Sequence, residues 1–446
     1  MSDKNQARRT SVQVSFNGVN ITKDIQPYLL SLTYTDNEAD QSDDLQLELH
    51  DREDTWLTNW IEKAVNASLY SDNTSSKDKT YPTVRYGNRS DTVKIMQQYL
   101  LKLGYSLPKA GADGIFGSET KSAVKSFQRK NGLSVDGVCG PITWAAILKQ
   151  IGSATSAKGM KIQAVILREN WNGDGKDQML DCGSFELDSV KMSGPPSKAA
   201  IKGTSLAFTS TIRQMKKSRG WESYYLSGIA KEMARKNGMG CMYSADIDPY
   251  YTRVEQYKTS DINFLSKLCK NAGISLKATN NILVLFDQEK YEAKSSVITI
   301  KKGSGTYLKW ALDSDEADSQ YSSCRVRYTT AKGKLISGIA YAEDYDADSK
   351  TNQQLEIHAK VSSVAEAKAL AKKHLRLHNK FERTASFTMP GNPALVAGVT
   401  VNLKGWGMWD NKYIITQAKH QVSNGGYITQ IKLRLTISPA PKSNSE

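Results

Sequence analysis

The sequence predicts an α+β, β-rich fold interrupted by a small insert of three short helices. Three observations carry this. Residues on both sides of the insert alternate apolar and polar, as half-buried strands do. Several later windows repeat their apolar residues with the helical period. One short window repeats an Asp-Gly turn signature, each copy leading into a helical pattern. A chain of 446 residues also exceeds what one core usually organises, so several domains are expected.

The first part reads as strands. Val12, Val14 and Phe16 share one face, as do Leu45, Leu47 and Leu49. Asn17-Gly18 is a hairpin turn signal. Strand character resumes at Lys161–Arg168, turns at Asn172-Gly173-Asp174-Gly175, and alternates again over Ser184–Met192. A β-barrel or compact sheet split by the insert accounts for both pieces. A mixed region follows. Tyr224–Asn237 predicts a helix with Leu226, Ile229, Ala230 and Met233 on one face and Gly238 past its end. Ser260 is placed to cap a second helix striped by Ile262, Leu265, Leu268 and Cys269, and Ile282–Phe286 is a strand. Ser363-x-x-Glu366 is a capping box opening a third helix, with Ala367, Leu370, Ala371 and Leu375 inward. Strands return at Thr384–Met389, Thr400–Leu403, Tyr413–His420 and Tyr427–Thr436.

The insert is the most specific segment. Asp113-Gly114-Ile115-Phe116-Gly117-Ser118-Glu119-Thr120 and Asp136-Gly137-Val138-Cys139-Gly140-Pro141-Ile142-Thr143 both read D-G-x-x-G-x-x-T. Asp-Gly makes a tight turn in which Gly takes positive φ. The second Gly stands at a helix entry, and Pro141 falls at the first helical position, where a missing N–H costs nothing. Thr120, Val124 and Phe127 then share a face, as do Trp144, Ile147, Leu148 and Ile151. An earlier helix starts at Ser90, carries Val93, Met96, Leu100 and Leu103, and stops at Gly104.

On these residues, with the run from Val84 to Tyr105, the segment resembles the peptidoglycan-binding domain 1 family. The resemblance implies a three-helix module that binds wall glycan or stem peptide. Asp113, Gly114, Phe116, Gly117, Thr120, Phe127, Asp136, Gly137, Gly140, Thr143 and Trp144 are its motif residues and mainly structural. Arg85, Tyr86, Tyr105, Gln128 and Arg129 are the polar or amphipathic candidates for contact with peptidoglycan. Polar stretches at 66–81 and 152–160 read as linkers around a module at 82–151.

Sixty Lys and Arg against 46 Asp and Glu leave a net charge of +14, which suits an anionic partner such as nucleic acid or cell wall. The five cysteines are scattered without a Cys-x-x-Cys, which supports neither a zinc ribbon nor a disulfide framework. They read as reduced, small apolar residues of a protein folded in the cytosol. No secretory h-region opens the chain and no apolar run reaches membrane-span length, which stands in tension with a wall-binding module expected outside a cell.

Asp51–Ile61, Cys182–Pro196, Thr259–Gly273, Ala278–Phe286 and Pro390–Leu403 together resemble the phage late control D family, the baseplate hub of contractile phage tails and tail-like bacteriocins. The likeness spans most of residues 10–437 outside the insert. It implies two barrel domains per subunit and a homotrimer that joins tail tube to spike among other baseplate proteins. It also implies assembly in the bacterial cytoplasm without a signal peptide, release by lysis into the tail particle, and a lumen that passes DNA without a specific site. The expected layout is then a first barrel at 1–65 and 161–205, a mixed α/β domain at 206–295, a second barrel with one long helix at 296–437, and a tail at 438–446.

An enzyme is the competing reading, a wall hydrolase targeted by the module. His374 and His378 have the spacing of two metal ligands on a helix, yet lack the Glu of His-Glu-x-x-His and stand among Lys372, Lys373, Arg376 and Lys380. A solvated basic face is the reading preferred. Asn172, Asp174, Asp177 and Asp181 resemble an acidic loop, but Lys176 sits where a calcium loop needs oxygen, so a hairpin turn is preferred. Asp344, Asp346 and Asp348 read as a solvated loop. No nucleophile elbow, P-loop or dinucleotide fingerprint occurs. The expectation is no catalytic constellation, no cofactor and no metal.

Overall fold

The computed structural model describes residues 7–16, 19–39, 41–52, 83–109, 111–144, 146–147, 160–205, 211–314, 321–342, 345–350 and 352–437. The Asn17-Gly18 turn, the segment holding Trp56 and Trp60, nearly all of both linkers, Leu148, Ile151, Asp344 and the tail 438–446 lie outside the described residues. The chain divides into two compact units, residues 53–158 and the remainder.

The larger unit has the β-rich α+β architecture. Its first strands are β1 (Arg9–Phe16), β2 (Val19–Asn20), β3 (Leu29–Asn37), β4 (Asp44–His50), β5 (Lys161–Glu169), β6 (Gln178–Ser193) and β7 (Lys198–Thr204). Alternation decides which face is covered: Leu45, Leu47 and Leu49 of β4, Ile162, Ala164 and Ile166 of β5, and Phe185 of β6 are all buried. β4 and β5, which flank the insert in the chain, are separated in the sheet by β7 and β6. β6 pairs with β5 through its first half and with β7 through its second, changing partner across bulges that re-aim the strand. At Gly183 (φ 91°) an added Cβ would fall 2.3 Å from Asn280 Oδ1, which accepts the Ser184 N–H instead.

The mixed region holds β8 (Lys217–Tyr225), β9 (Gly240–Ser244), β10 (Tyr250–Thr259), β11 (Ser275–Thr279) and β12 (Ile282–Phe286). β9 runs parallel to β12, and β8 and β10 form a separate two-stranded ribbon. Helices Leu226–Lys236 and Asp261–Asn271 cover this small sheet through Leu226, Ile229, Met233, Leu265 and Leu268. The expected start at Tyr224 is corrected by two residues, because Tyr224 and Tyr225 complete β8. Ser260 does stand at its N-cap, but its hydroxyl accepts no cap bond and is buried without a hydrogen-bond partner among the described residues.

The last part contributes β13 (Ile298–Lys301), β14 (Lys309–Ser314), β15 (Ser323–Thr329), β16 (Leu335–Tyr341), β17 (Gln354–His358), β18 (Arg383–Pro390), β19 (Thr400–Lys404), β20 (Lys412–Ser423) and β21 (Gly426–Leu435). β15, β16 and β17 form their own sheet under the long helix Val364–Asn379. Gly338 on β16 lets that helix sit directly on the strand: a Cβ there would lie 2.4 Å from the Lys368 amide nitrogen. The capping box differs in one detail. Ser363 Oγ accepts the Glu366 N–H, but Glu366 reaches back to Ser362 N and Oγ. β13, β14 and β18–β21 surround Phe387, Trp406, Tyr413 and Ile431. The two strand-rich parts, expected as separate barrels, share one sheet of 13 strands among the described residues, because β20 pairs with β3.

A buried ionic layer locks these parts together. Arg434, fully buried, donates to Glu292 Oε1 at 2.8 Å, Glu38 Oε1 at 3.0 Å and Gln288 Oε1 at 3.2 Å. Lys277 Nζ meets Asp36 at 2.6 Å and Asp43 at 3.6 Å. The expected solvated face of the long helix is corrected here. Lys373 pairs with Asp287 at 2.6 Å, Arg376 binds Glu292 and donates to the Ile437 carbonyl, and buried His374 meets the Asn271 carbonyl at 3.1 Å. These charges dock the helix on the mixed region, so half of the face is interface rather than solvent.

Candidate functional site

The smaller unit builds the module from two copies of one hydrogen-bonded knot. In the first, Gln97 projects from helix Asp91–Lys102. Its Nε2 donates to Asp113 Oδ1 (2.9 Å), the Ile115 carbonyl (3.0 Å) and Thr120 Oγ1 (3.0 Å), while its Oε1 accepts the Gly114 N–H (2.8 Å). In the second, Gln128 projects from helix Ser118–Lys130. It makes the same set with Asp136 (2.7 Å), the Val138 carbonyl (2.9 Å), Thr143 (3.2 Å) and the Gly137 N–H (2.9 Å). Each Asp closes its own turn by accepting the N–H two residues on. Gly114 (φ 80°) and Gly137 (φ 73°) supply the positive φ that such turns require.

The electrostatics follow from these bonds. Asp113 is held below the ordinary carboxylate range by the Ile115 N–H and then the Gln97 amide, and Asp136 by the Val138 N–H and then the Gln128 amide. Both stay ionised as acceptors. Phe116, Val124, Phe127 and Trp144 fill the core between the knots, with Tyr99 edge-on to Trp144 and Tyr105 edge-on to Phe127.

The five candidate contact residues do not converge. Gln128 is buried and its amide is fully engaged in the knot, so it offers no group to a ligand. Tyr105 is half-buried against Phe127, with Lys130 Nζ 5.9 Å from its ring, and burial raises its phenol pKa. Arg129 is exposed on the same last turn. Arg85 and Tyr86 lie elsewhere: Tyr86 is 62% exposed and its ring faces Lys121 Nζ at 5.6 Å. Lys121 and Lys130 are separated by about 14 Å of helix at 1.5 Å per residue. The residues that sequence reasoning missed are Gln97 and Lys121. The first was legible as an apolar-Gln pair, Met96-Gln97 and Phe127-Gln128, standing before each Asp-Gly turn.

Gln128→Leu is expected to cost the module about 2–3 kcal/mol, since it leaves the buried Gly137 N–H without its acceptor and Asp136 without the amide that binds it. Amide exchange at Gly137 should then accelerate while exchange in β20 and β21 stays unchanged. Equal protection of Gly137 in the two proteins would remove Gln128 from this role.

Elsewhere the polar loops are spent on themselves. Asn170, Asp174 and Asp177 bond the backbone of their own turn, and Asp346 accepts the Asp348 N–H. Among the described residues no three His, Cys, Asp or Glu are grouped to hold a metal ion. The five cysteines are free, and Cys241 alone of them is more than slightly exposed.

Comparison with known proteins adds two families. Residues 89–147 match the peptidoglycan binding domain family, and residues 209–426 match the phage tail baseplate hub family. A tail protein from Neisseria meningitidis superposes with a TM-score of 0.56 at 10% identity, over 95% of this chain and 96% of that one. A prophage tail protein from Shewanella oneidensis gives 0.51 at 11%, over 97% and 100%. At these identities the likeness is one of fold. An N-acetylmuramoyl-L-alanine amidase of Bacillus licheniformis is 36% identical over 132 residues, 30% of this chain and 33% of the amidase. A type VI secretion system spike protein of Vibrio cholerae is 60% identical over 45 residues, 10% of this chain and 4% of the spike protein. The chain thus spans a third or less of either of these two relatives.

Proposed function

From a chain whose residues 209–426 belong to the phage tail baseplate hub family and whose residues 89–147 belong to the peptidoglycan binding domain family, we propose a structural hub that carries its own wall grip. In this reading a homotrimer joins the tail tube to the spike, and the module holds peptidoglycan at the tail tip. The trimer is assembled in the bacterial cytoplasm and released with the tail particle. Its lumen passes DNA without a sequence-specific site, and the hub performs no catalysis.

One observation carries the reading. The module occupies the β4–β5 connection, yet those strands are held apart by β7 and β6 in an uninterrupted sheet. The body therefore keeps its ladder without help from the insert, as expected of an accessory grip on a structural scaffold. Among the described residues no helix is long and apolar enough to cross a membrane.

The test is the mass of the full-length protein in solution and its sedimentation with tail particles. A trimer found in the baseplate fraction is expected. A monomer at micromolar concentration that never co-sediments would remove the hub reading, and release of soluble wall fragments would replace it with a hydrolase. Three modules on one trimer should also hold wall far better than one, because the second and third contacts form at high effective concentration.

A further inference from the structure

The groups that close the two knots are present twice, so a cluster found beside one knot alone is free to serve a ligand. Gln, Asp, Gly and Thr recur in both knots, and so does one lysine: Lys94 and Lys125 each stand three residues before their glutamine and pack on the turn glycine. A Cβ at Gly114 would meet the Ser90 carbonyl at 3.3 Å and Lys94 Cβ at 3.5 Å. At Gly137 it would meet Lys125 Cε at 3.0 Å and Lys121 Cγ at 3.1 Å. The second knot thus has two lysine stems on its turn, where the first has one stem and backbone.

Lys121 has a further neighbour without a counterpart. Its ammonium lies 5.6 Å from the centre of the Tyr86 ring, which is 62% exposed. Tyr86 is fixed from both sides. Val84 and Cys139 exchange backbone bonds of 3.1 and 2.9 Å, and the Gly87 N–H reaches the Phe116 carbonyl at 3.0 Å. An exposed aromatic ring on a backbone held from both sides therefore has the Lys121 ammonium beside it, and Lys125 packs with Lys121 on the Gly137 turn. Among the described residues no carboxylate is within ion-pair distance of either ammonium; Asp136, which senses Lys125, is committed to its knot.

We infer that Tyr86, Lys121 and Lys125 form the ligand face of the module and that they take the carboxylates of the peptidoglycan stem peptide. The inference rests on the peptidoglycan reading and deepens it. The glycan backbone of the wall is neutral and its free carboxylates belong to the stem peptides, so a cationic face selects the peptide. The Tyr86 ring covers an adjoining methyl group, as an aromatic surface does for small apolar groups. Both charges are partly exposed, so binding weakens as ionic strength rises.

The experiment measures retention of the full-length protein on purified sacculi in three forms: stripped of phosphate polymers, then also with the stem-peptide carboxylates capped as neutral amides by a carbodiimide and an amine, and untreated. The wild type should bind stripped sacculi and fail on the capped form. Lys121→Glu with Lys125→Glu should lower retention at least about tenfold, as should the stem-preserving pair Lys121→Gln with Lys125→Gln. Lys121→Arg with Lys125→Arg should retain binding. Protection of the Gly114 and Gly137 amides reports that each variant keeps its knots. Retention on the capped form, loss of binding on removing phosphate polymers, or full retention of the glutamine pair would each overturn the assignment. A wild type retained on no wall fraction would instead overturn the peptidoglycan reading beneath it.

Discussion

Arg434→Met is expected to destabilise the larger unit by about 3–5 kcal/mol, the usual cost of orphaning a buried charge. Burial lowers the pKa of Arg434, but the carboxylates of Glu38 and Glu292 more than reverse that and raise it, so the pair of acids and the guanidinium are buried as one set. Removing the cation leaves Glu38, at 7% exposure, with no partner across the 3.0 Å gap. Glu292 keeps Arg376, so its loss is smaller. The layer connects β3, β21, the long helix and the segment 287–292, so the loss should appear in all of them. Urea unfolding of the two proteins measures it. Glu38→Gln in the Arg434→Met background should recover at least about 1 kcal/mol, because the orphan charge goes with it. An Arg434→Met protein within about 1 kcal/mol of wild type would show that the layer is not held by this charge.

The second large effect is a loss of stability in mild acid traceable to His420. The imidazole is fully buried, stacked on Tyr34, with Nδ1 at 2.7 Å from the Tyr427 hydroxyl and near Thr429, and Nε2 at 3.0 Å from the Leu395 carbonyl. Burial pushes its pKa down to about 4, against the carbonyl bond and the nearby Asp36 charge, which pull it up. In the unfolded chain the ring titrates near its ordinary 6.5. Between these values the unfolded state binds the proton that the folded state refuses. The His420 contribution is therefore complete above pH 6.5 and declines as pH falls towards 4, by about 3 kcal/mol in total. Asp43 acts in the opposite direction: burial pushes its carboxyl up to about 6 against the pull of Lys277, so acid protonates it first in the folded state. The His420 part is isolated as a difference. The stability gap between wild type and His420→Asn should narrow, or reverse, from pH 7 to pH 4, and a gap constant across that range would refute it.

The strands and helices themselves were readable from local periodicity. The strand predicted over Ile282–Phe286 is observed with those bounds, and the helix striped by Leu226, Ile229 and Met233 buries those three side chains. The Asp-Gly repeat was readable because a tight turn with positive φ leaves few residue choices. Such signals survive in one sequence because each depends on residues a few positions apart. Charge was not readable in this way. Lys373 and Arg376 look like any solvated basic run until Asp287 and Glu292, some eighty positions away in the chain, are brought against them. Ser260 has the right residue type and backbone for a cap, yet its hydroxyl meets no acceptor or donor among the described residues.

The sequence by itself determined the β-rich α+β class, the three-helix insert with its duplicated turn, and the likeness to a baseplate hub. Only the tertiary structure decided that β3 and β20 merge the two strand-rich parts into one sheet, that Gln97 and Gln128 are the struts of the two knots, and that Lys121 stands beside Tyr86 and packs with Lys125 on the Gly137 turn. The physical reason is range. Backbone preference and apolar period act over a turn or two of chain, whereas pairing of remote edges and burial of remote charges depend on which partners the whole fold brings within 3 or 4 Å.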